Sequence, residues 1–131
     1  MAAYTVTQIE EVPDISGDYP GEMRLGRDAL GTEQVALTWR RMPPETGGKG
    51  AYGHRHFEQE EVYYVLAGTL QFKCDDDVFD AGPGTVVTMP PEVVRSTWNE
   101  GPDDVIVLML SKKIDDLERD VEKVEGFWEA D

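Results

Sequence analysis

Short runs of β-branched and aromatic residues, separated by clusters of glycine, proline and aspartate, dominate the pattern along the chain. Such runs suit a pleated sheet and the clusters suit turns, so the pattern predicts an all-β protein. Strands are predicted over residues 34–42, 51–57, 61–67, 69–74, 84–89, 93–98 and 104–111. No internal repeat or low-complexity linker interrupts them, so residues 1–131 are predicted to form a single domain.

The period of the apolar positions changes near the end of the chain. There the apolar residues are spaced by three and four, at Ile114, Leu117, Val121, Val124 and Trp128. This spacing predicts a short helix over about residues 114–125, packed over one mouth or an outer face of the β-domain. Phe127 and Trp128 are expected to pack within the chain, with contact to a partner as the alternative, because aromatic residues also anchor interfaces.

Charge and cysteine content narrow the possible partners and location. The chain has 27 acidic and 12 basic residues and a formal net charge of −15, which argues against nucleic acid or an anionic membrane as a partner. Its N-terminus lacks the pattern of a secretory signal, and no apolar run is long enough to cross a bilayer.

Cys74 is the single cysteine, so no intrachain disulfide can form, and we expect a cytoplasmic protein. We interpret Cys74 as a strand-end residue, not a nucleophile, because aspartates follow it.

His54 and His56 are the only two histidines in the chain. On an extended strand, residues i and i+2 point to the same face, with side chains roughly 6–7 Å apart at their bases. Two imidazoles placed in this way can bind one metal ion at about 2.0–2.1 Å. Glu61, on the next predicted strand, can add a carboxylate and leave other coordination positions open. The sequence therefore predicts a site of two histidines and one carboxylate.

The spacing around these residues resembles the first motif of the cupin superfamily. Gly48 is followed by five residues, then His54, one residue, His56, four residues, Glu61, six residues and Gly68. A second cupin-like motif follows, with Gly84, five residues and Pro90, and later Asn99. Together the motifs span about residues 48–99, within a barrel region of about 34–111.

The resemblance implies a double-stranded β-helix, or jelly-roll barrel, with a short C-terminal helix. It also implies a divalent metal ion inside the barrel, bound by His54, His56, Glu61 and a histidine of the second motif. That fourth histidine is missing, because its position holds Arg95. An arginine remains protonated at ordinary pH and has no lone pair, so it cannot bind a metal ion.

Three hypotheses remain open at this point. In the first, His54, His56 and Glu61 form a non-haem type metal site for Fe, Mn, Ni or Zn, and Arg95 orients an anionic substrate, as in an oxygenase or isomerase. In the second, no metal binds, Arg95 pairs with Glu61, and the barrel binds a small carboxylate or phosphate ligand. In the third, these residues belong to a structural or interaction barrel.

Other residues are candidates for the walls of the site. If Glu61 faces inward, alternation places Tyr63 on the same face, where its phenol either lies near the metal position or only seals the packing. Trp39 and Arg41 share a strand face and are expected to line the pocket or an interface. Glu60 is the one rival to Glu61 as a ligand, and the motif spacing favours Glu61.

The partners that we expect are a small anionic ligand and a second copy of the chain. A homodimer is implied by the family resemblance, through sheet augmentation or face packing. The sequence adds only that a strand such as residues 34–42 could supply a free edge.

Overall fold

Two antiparallel sheets form the body of the protein in a computed structural model, which describes residues 3–131. The first sheet has the order β1 (Glu22–Gly26), β2 (Val35–Met42), β10 (Val105–Lys112), β5 (Glu61–Ala67) and β8 (Val86–Met89). The second has the order β11 (Val121–Glu125), β4 (Tyr52–His56), β9 (Arg95–Asn99), β6 (Leu70–Cys74) and β7 (Asp77–Ala81), and β3 (Thr46–Gly47) pairs with β9.

In the described part of the chain, residues 3–131, helical structure is confined to short segments. These are the helix α1 (Leu117–Asp120) and two 3-10 turns, Ile9–Glu11 and Asp28–Leu30. Within residues 3–131, no helix combines the length and the apolar character that crossing a bilayer requires.

The inner faces of the two sheets enclose one apolar core. It is built from Met42, Tyr63, Val65, Leu70, Phe72, Ala81, Met89, Val105 and Val107, all of them buried. The rings of Tyr63 and Phe72 meet edge to face across the two sheets, with centroids 5.4 Å apart. Such a pair contributes about 0.5–1.5 kcal/mol beyond the area that it buries.

Alternation along β5 decides what this strand presents to the interior. Tyr63 and Val65 are buried, whereas Tyr64 and Leu66 are exposed. Glu61 has the same parity as the buried pair, so it faces inward at the start of the strand. The inward orientation predicted for Tyr63 from this alternation is confirmed.

The all-β architecture and its predicted strands are confirmed, with small shifts at their ends. Four strands were not predicted: β1, β3, β7 and β11. In β7 the first four residues are all exposed, so the strand has no buried apolar face of its own. It is held by its pairing with β6 across the turn of Asp75 and Asp76, and Asp75 has a positive φ of 50°.

The predicted helix over about residues 114–125 is present only as the four residues of α1, so its extent was wrong. The second half of that range is β11, which pairs antiparallel with β4. The free edge of β4 offers unpaired backbone groups that a strand satisfies, whereas a short helix gains few hydrogen bonds. Trp128 is buried against its own chain, which confirms the prediction of intrachain packing for this residue.

The expected free edge at residues 34–42 is also wrong. β2 lies between β1 and β10 and pairs with both along its length. The lateral strands of the two sheets are β1 and β8, and β11 and β7. Each of these four strands has one unpaired side that sheet augmentation between two copies could use. The homodimer itself stays a prediction.

Gly68 offers a test of how tightly the β5–β6 turn is built. Its φ is +74°, and a Cβ there would lie 2.5 Å from the backbone oxygen of Asp104. We expect Gly68→Ala to lower the free energy of unfolding by about 1–3 kcal/mol, from backbone strain and this clash. Gly82→Ala is the matched control, because a Cβ at Gly82 meets nothing within 4 Å. Urea denaturation of both variants measures the effect, and equal losses in the two would contradict this account.

Candidate metal and ligand site between the two sheets

Four polar side chains meet between the sheets at one end of the apolar core. His54 and His56 come from β4, and Arg95 comes from β9 in the same sheet, where it is the cross-strand neighbour of His54. Glu61 comes from β5 in the opposite sheet. The site thus depends on the packing of one sheet against the other, as well as on the spacing of two residues along β4.

The donor atoms of the predicted ligands converge. One nitrogen of His54, one of His56 and one oxygen of Glu61 all lie within 4.8 Å of one another. His56 Nε2 is 3.6 Å from Glu61 Oε1, and the two imidazole rings meet edge to face with centroids 5.1 Å apart. Two metal bonds of about 2.0–2.2 Å separate their donor atoms by at most about 4.4 Å. Small side-chain shifts would therefore bring all three donors onto one ion.

His54 is held in its neutral form. Burial lowers the pKa of His54 to about 4, and the positive charge of Arg95 acts in the same direction. A neutral imidazole keeps the lone pair that a metal ion or a hydrogen-bond donor needs.

His56 is oriented by a carboxylate that the sequence analysis did not identify. Its Nδ1 lies 3.1 Å from Asp120 Oδ2. Because an ionised carboxylate only accepts hydrogen bonds, Nδ1 is the donor and Nε2 is left facing Glu61. Asp120 is itself held by the backbone N–H groups of Glu58 and Gln59, at 2.7 and 3.1 Å. Metal-binding histidines commonly have such a carboxylate partner, which sets their tautomer and ring orientation.

Glu61 accepts hydrogen bonds from two neighbours through one oxygen. Arg95 Nη2 donates to Glu61 Oε1 at 2.6 Å, and the Tyr63 hydroxyl donates to the same oxygen at 3.2 Å. Burial raises the pKa of Tyr63, and the negative charge of Glu61 raises it further. The phenol therefore keeps its proton and acts as a donor that positions the carboxylate.

Arg95 is fully buried, and most of its donors are already used. Besides Nη2, which donates to Glu61, its Nη1 donates to the backbone oxygens of Pro91 and Val93 at 3.1 and 2.8 Å. Within residues 3–131, its Nε is a buried donor without an acceptor. Bidentate capture of an anion by Arg95 would require breaking existing bonds. Its role as a ligand anchor stays a prediction, with Nε as the donor left free.

The alternation of side chains along β2 decides which of its residues face the interior. Arg41 faces outward, where it bonds to Glu22 and Asp104 at 2.9 and 3.2 Å, and Trp39 shares its face, so the expectation that they line the pocket was wrong. The alternative, that they line an interface, stays a prediction. The inward residue is Arg40, on the same face as the buried Met42. Strict alternation from an apolar core residue was the signal that could have found it.

Two other expectations from the sequence can be compared with the structure. Glu60 is exposed, so Glu61 is the carboxylate that faces the histidines. Cys74 is the last residue of β6 and is partly buried. Burial raises the pKa of its thiol, which agrees with the expectation that Cys74 is not an activated nucleophile.

The comparisons with known proteins agree with this architecture. A family model described as the cupin domain matches residues 40–111. The chain belongs to the cupin family. A curated relative, an uncharacterised protein of Methanocaldococcus jannaschii, is 31% identical over 48 residues, which is 37% of this chain. The matched part spans only 38% of that relative's length.

Solved structures support the jelly-roll fold of this cupin. A cupin protein from Bacteroides fragilis has a TM-score of 0.70 and 16% identity, covering 88% of both chains. The polyketide cyclase RemF from Streptomyces resistomycificus has a TM-score of 0.72 and 16% identity, covering 94% of this chain and 85% of that one. A sugar phosphate isomerase of the cupin superfamily from Silicibacter pomeroyi has a TM-score of 0.68 and 19% identity, covering 84% of this chain and 76% of that one. At these identities the likeness is one of fold.

The residues of the site fit a divalent metal ion with three protein ligands. The cluster offers two imidazole nitrogens and one carboxylate oxygen, which is a donor set used by Fe, Mn, Ni and Zn. His54 has an available lone pair, and His56 is oriented through Asp120. Arg95, the cross-strand neighbour of His54, has no lone pair and therefore cannot add a metal bond to this set.

The pKa of His54 predicts a pH dependence for the metal-free protein. Since its folded pKa of about 4 lies below the ordinary histidine value of 6.5, its contribution to stability is complete above pH 6.5 and is lost as the pH falls towards 4. We expect a decrease on the order of 3 kcal/mol across that window. NMR titration of the His54 ring, with urea denaturation at several pH values, measures both effects. His54→Gln should lack this part of the slope; an unchanged slope would show that other groups cause it.

The Arg95–Glu61 pair predicts strong coupling between two substitutions. Arg95→Met leaves the Glu61 carboxylate buried without its partner, so we expect a loss of about 3–5 kcal/mol in the free energy of unfolding. Adding Glu61→Gln removes the uncompensated charge and should recover a large part of that loss. A double-mutant cycle measured by urea denaturation gives the coupling. Additive effects would show that the pair does not act as a unit.

Proposed function

We propose that this cupin binds one divalent metal ion through His54, His56 and Glu61 and acts on a small anionic molecule beside it. The observation on which the proposal depends is the convergence of these three donor groups to within 4.8 Å of one another inside the barrel. When bound, the ion would supply a Lewis acid with open coordination positions. The proposed ion is Fe, Mn, Ni or Zn, and the proposed reaction class is isomerisation or oxygenation.

The protein's own groups prepare the site for this role. The neutral His54 offers a lone pair, Asp120 orients His56, and Tyr63 and Arg95 hold the Glu61 oxygen in place. Each group is thereby restrained before any ligand enters. Restraint of this kind reduces the reorganisation that binding or reaction requires.

The anionic character of the substrate is supported by the electrostatics around His54. The charges of both Arg95 and Arg40 lower the pKa of His54. Two cations within electrostatic reach of one buried imidazole favour a ligand with a negative group. A substrate of this kind would agree with the name of the sugar phosphate isomerase from Silicibacter pomeroyi, which shares the fold.

A metal-free ligand-binding cupin is the second candidate, and one contact favours it. Arg95 Nη2 lies 2.6 Å from the same Glu61 oxygen that is 3.6 Å from His56 Nε2. In this version the guanidinium compensates the carboxylate charge, and the histidines act as hydrogen-bond partners of a carboxylate or phosphate ligand. Substrate conversion is then not expected.

Two further proposals concern the state of the protein in the cell. A homodimer is proposed from the family resemblance, with β1, β7, β8 or β11 as the strands open to pairing. A cytoplasmic location is proposed because Cys74, the single cysteine, cannot form an intrachain disulfide.

Metal binding is the first test of the proposed function. We expect protein purified without chelator to contain close to one equivalent of Fe, Mn, Ni or Zn by elemental analysis. His54→Ala removes a ligand and should weaken affinity by at least about 100-fold in calorimetric titration. Asp120→Asn disturbs only the orientation of His56 and should weaken it by about 10–100-fold. Glu60→Gln is the control, because this neighbouring carboxylate is exposed and lies outside the cluster.

Two results of these metal titrations would contradict the proposal. If none of the four metals binds to chelator-treated protein at micromolar concentration, the metal-dependent proposal is wrong and the metal-free candidate takes its place. If metal binds equally well to wild type and His54→Ala, the ion is held elsewhere and the proposed ligand set is wrong.

A further inference from the structure

Arg40 is a charged residue that faces the interior of the barrel. It lies in β2, faces inward beside Met42, and is partly buried. Within the described residues 3–131, no carboxylate forms an ion pair with it and no side-chain hydrogen bond engages its guanidinium. Arg41 and Arg95, by contrast, each bond to a carboxylate. In a chain with 27 acidic residues, an inward arginine without a carboxylate partner is the exception.

The guanidinium of Arg40 and the proposed metal ligands share one interior. Its charge contributes to the lowered pKa of His54. Burial lowers the pKa of Arg40 itself, while the phenols of Tyr19, Tyr63 and Tyr52 act in the opposite direction. By geometry, Arg40 on β2 and the proposed ligands on β4 and β5 all face the space between the two sheets.

A small cavity adjoins Arg40. It has a volume of about 180 Å³ and is lined by Ser16, Tyr19, Pro20, Glu22, Met23 and Arg40. Sites that enclose a drug-sized molecule measure roughly 300–1,000 Å³, so this cavity suits one charged group rather than a whole ligand. Glu22 does not neutralise Arg40, because its two oxygens bond to Arg41 and Arg24.

Tyr19, which lines this cavity, is hydrogen-bonded to the second sheet. The Tyr19 hydroxyl accepts from the backbone N–H of Gly47 at 2.9 Å and lies 3.3 Å from the Gly47 carbonyl oxygen. Gly47 belongs to β3, whereas Arg40 belongs to β2 in the opposite sheet. The cavity is therefore lined by two strands of the first sheet and by the segment that precedes them, and the Tyr19 hydroxyl ties this segment to the second sheet.

We infer that Arg40 anchors the anionic group, a carboxylate or a phosphate, of the ligand whose other end lies at His54, His56 and Glu61. The inference rests on the proposed function, since it names the anchor for its substrate. A guanidinium presents parallel N–H groups that match a carboxylate or phosphate in a bidentate manner. Leaving such a group partly buried and unpaired destabilises the fold, and an anionic ligand would offset that cost.

Anion-dependent stability of metal-free protein tests the inference. The full chain is treated with chelator, and its thermal unfolding is followed with inorganic phosphate or succinate against chloride at matched ionic strength. We expect a saturable rise in Tm with at least one of the two anions, and a matching calorimetric isotherm. The more effective anion tells whether the site prefers phosphate or carboxylate.

Two methionine variants isolate the role of Arg40. Arg40→Met should weaken binding of the preferred anion by at least about tenfold, yet leave the Tm in chloride unchanged or higher, because an unpaired charge is removed. Arg41→Met removes the same charge from the outward face of the same strand and should bind the anion within about twofold of wild type. General salt effects act on both variants equally. Arg40→Gln is the second variant if Arg40→Met does not fold.

The outcomes separate this inference from the proposed function. Equal anion binding by wild type and the Arg40 variants, or no saturable binding by wild type, overturns the role of Arg40. Metal titrations of the same samples report on the three ligands independently. Anion binding through Arg40 without metal binding would remove the proposed metal function and leave the anchor standing. Metal binding without anion binding would overturn the role of Arg40 and leave the proposed metal site standing.

Discussion

The ion pair between Arg95 and Glu61 is the interaction on which the rest of the site depends. The two side chains come from opposite sheets, and Arg95 Nη2 meets Glu61 Oε1 at 2.6 Å in the interior. A buried ion pair is a weak source of stability, because desolvation of both charges opposes their attraction. The main effect of this ion pair is to fix the position of a side chain. It holds Glu61, the carboxylate that converges with the two histidines, at a defined place between two sheets.

The interior of the barrel is divided by this arrangement. Along β5 the inward residues change from Glu61 to Tyr63 to Val65, which takes the strand from the polar site into the apolar core. Tyr63 joins the two regions, since its hydroxyl bonds to Glu61 and its ring packs on Phe72. One half of the barrel thus supplies packing, and the other half is free to present charged groups. A rigid core beside a polar cluster is the arrangement that keeps functional side chains in place.

The local pattern was sufficient for the strands that have a buried face. β5 was predicted with both ends correct because its apolar residues are bounded by charged residues and a glycine. β7 and β11 were missed because their residues are mostly exposed and their order comes from pairing with a neighbour. In β11, Val121 and Val124 also fit a helical stripe, so periodicity indicated the wrong element. Edge strands depend on partners that are distant in sequence, and a local pattern does not record them.

The sequence by itself determined the two histidines on one face of a strand, the carboxylate expected beside them and the arginine in place of a fourth ligand. The histidine pair follows from spacing along an extended chain, where side chains alternate with a period of two, whereas the place of the arginine follows from the resemblance to the cupin motifs. The tertiary structure alone decided that Asp120 orients His56, that Arg95 bonds to Glu61, and that Arg40 rather than Arg41 faces the interior. The two contacts join residues 64 and 34 positions apart, and the facing of β2 depends on which side meets the core. Such relations arise only when two sheets pack together, because burial selects the partners that each charge can find.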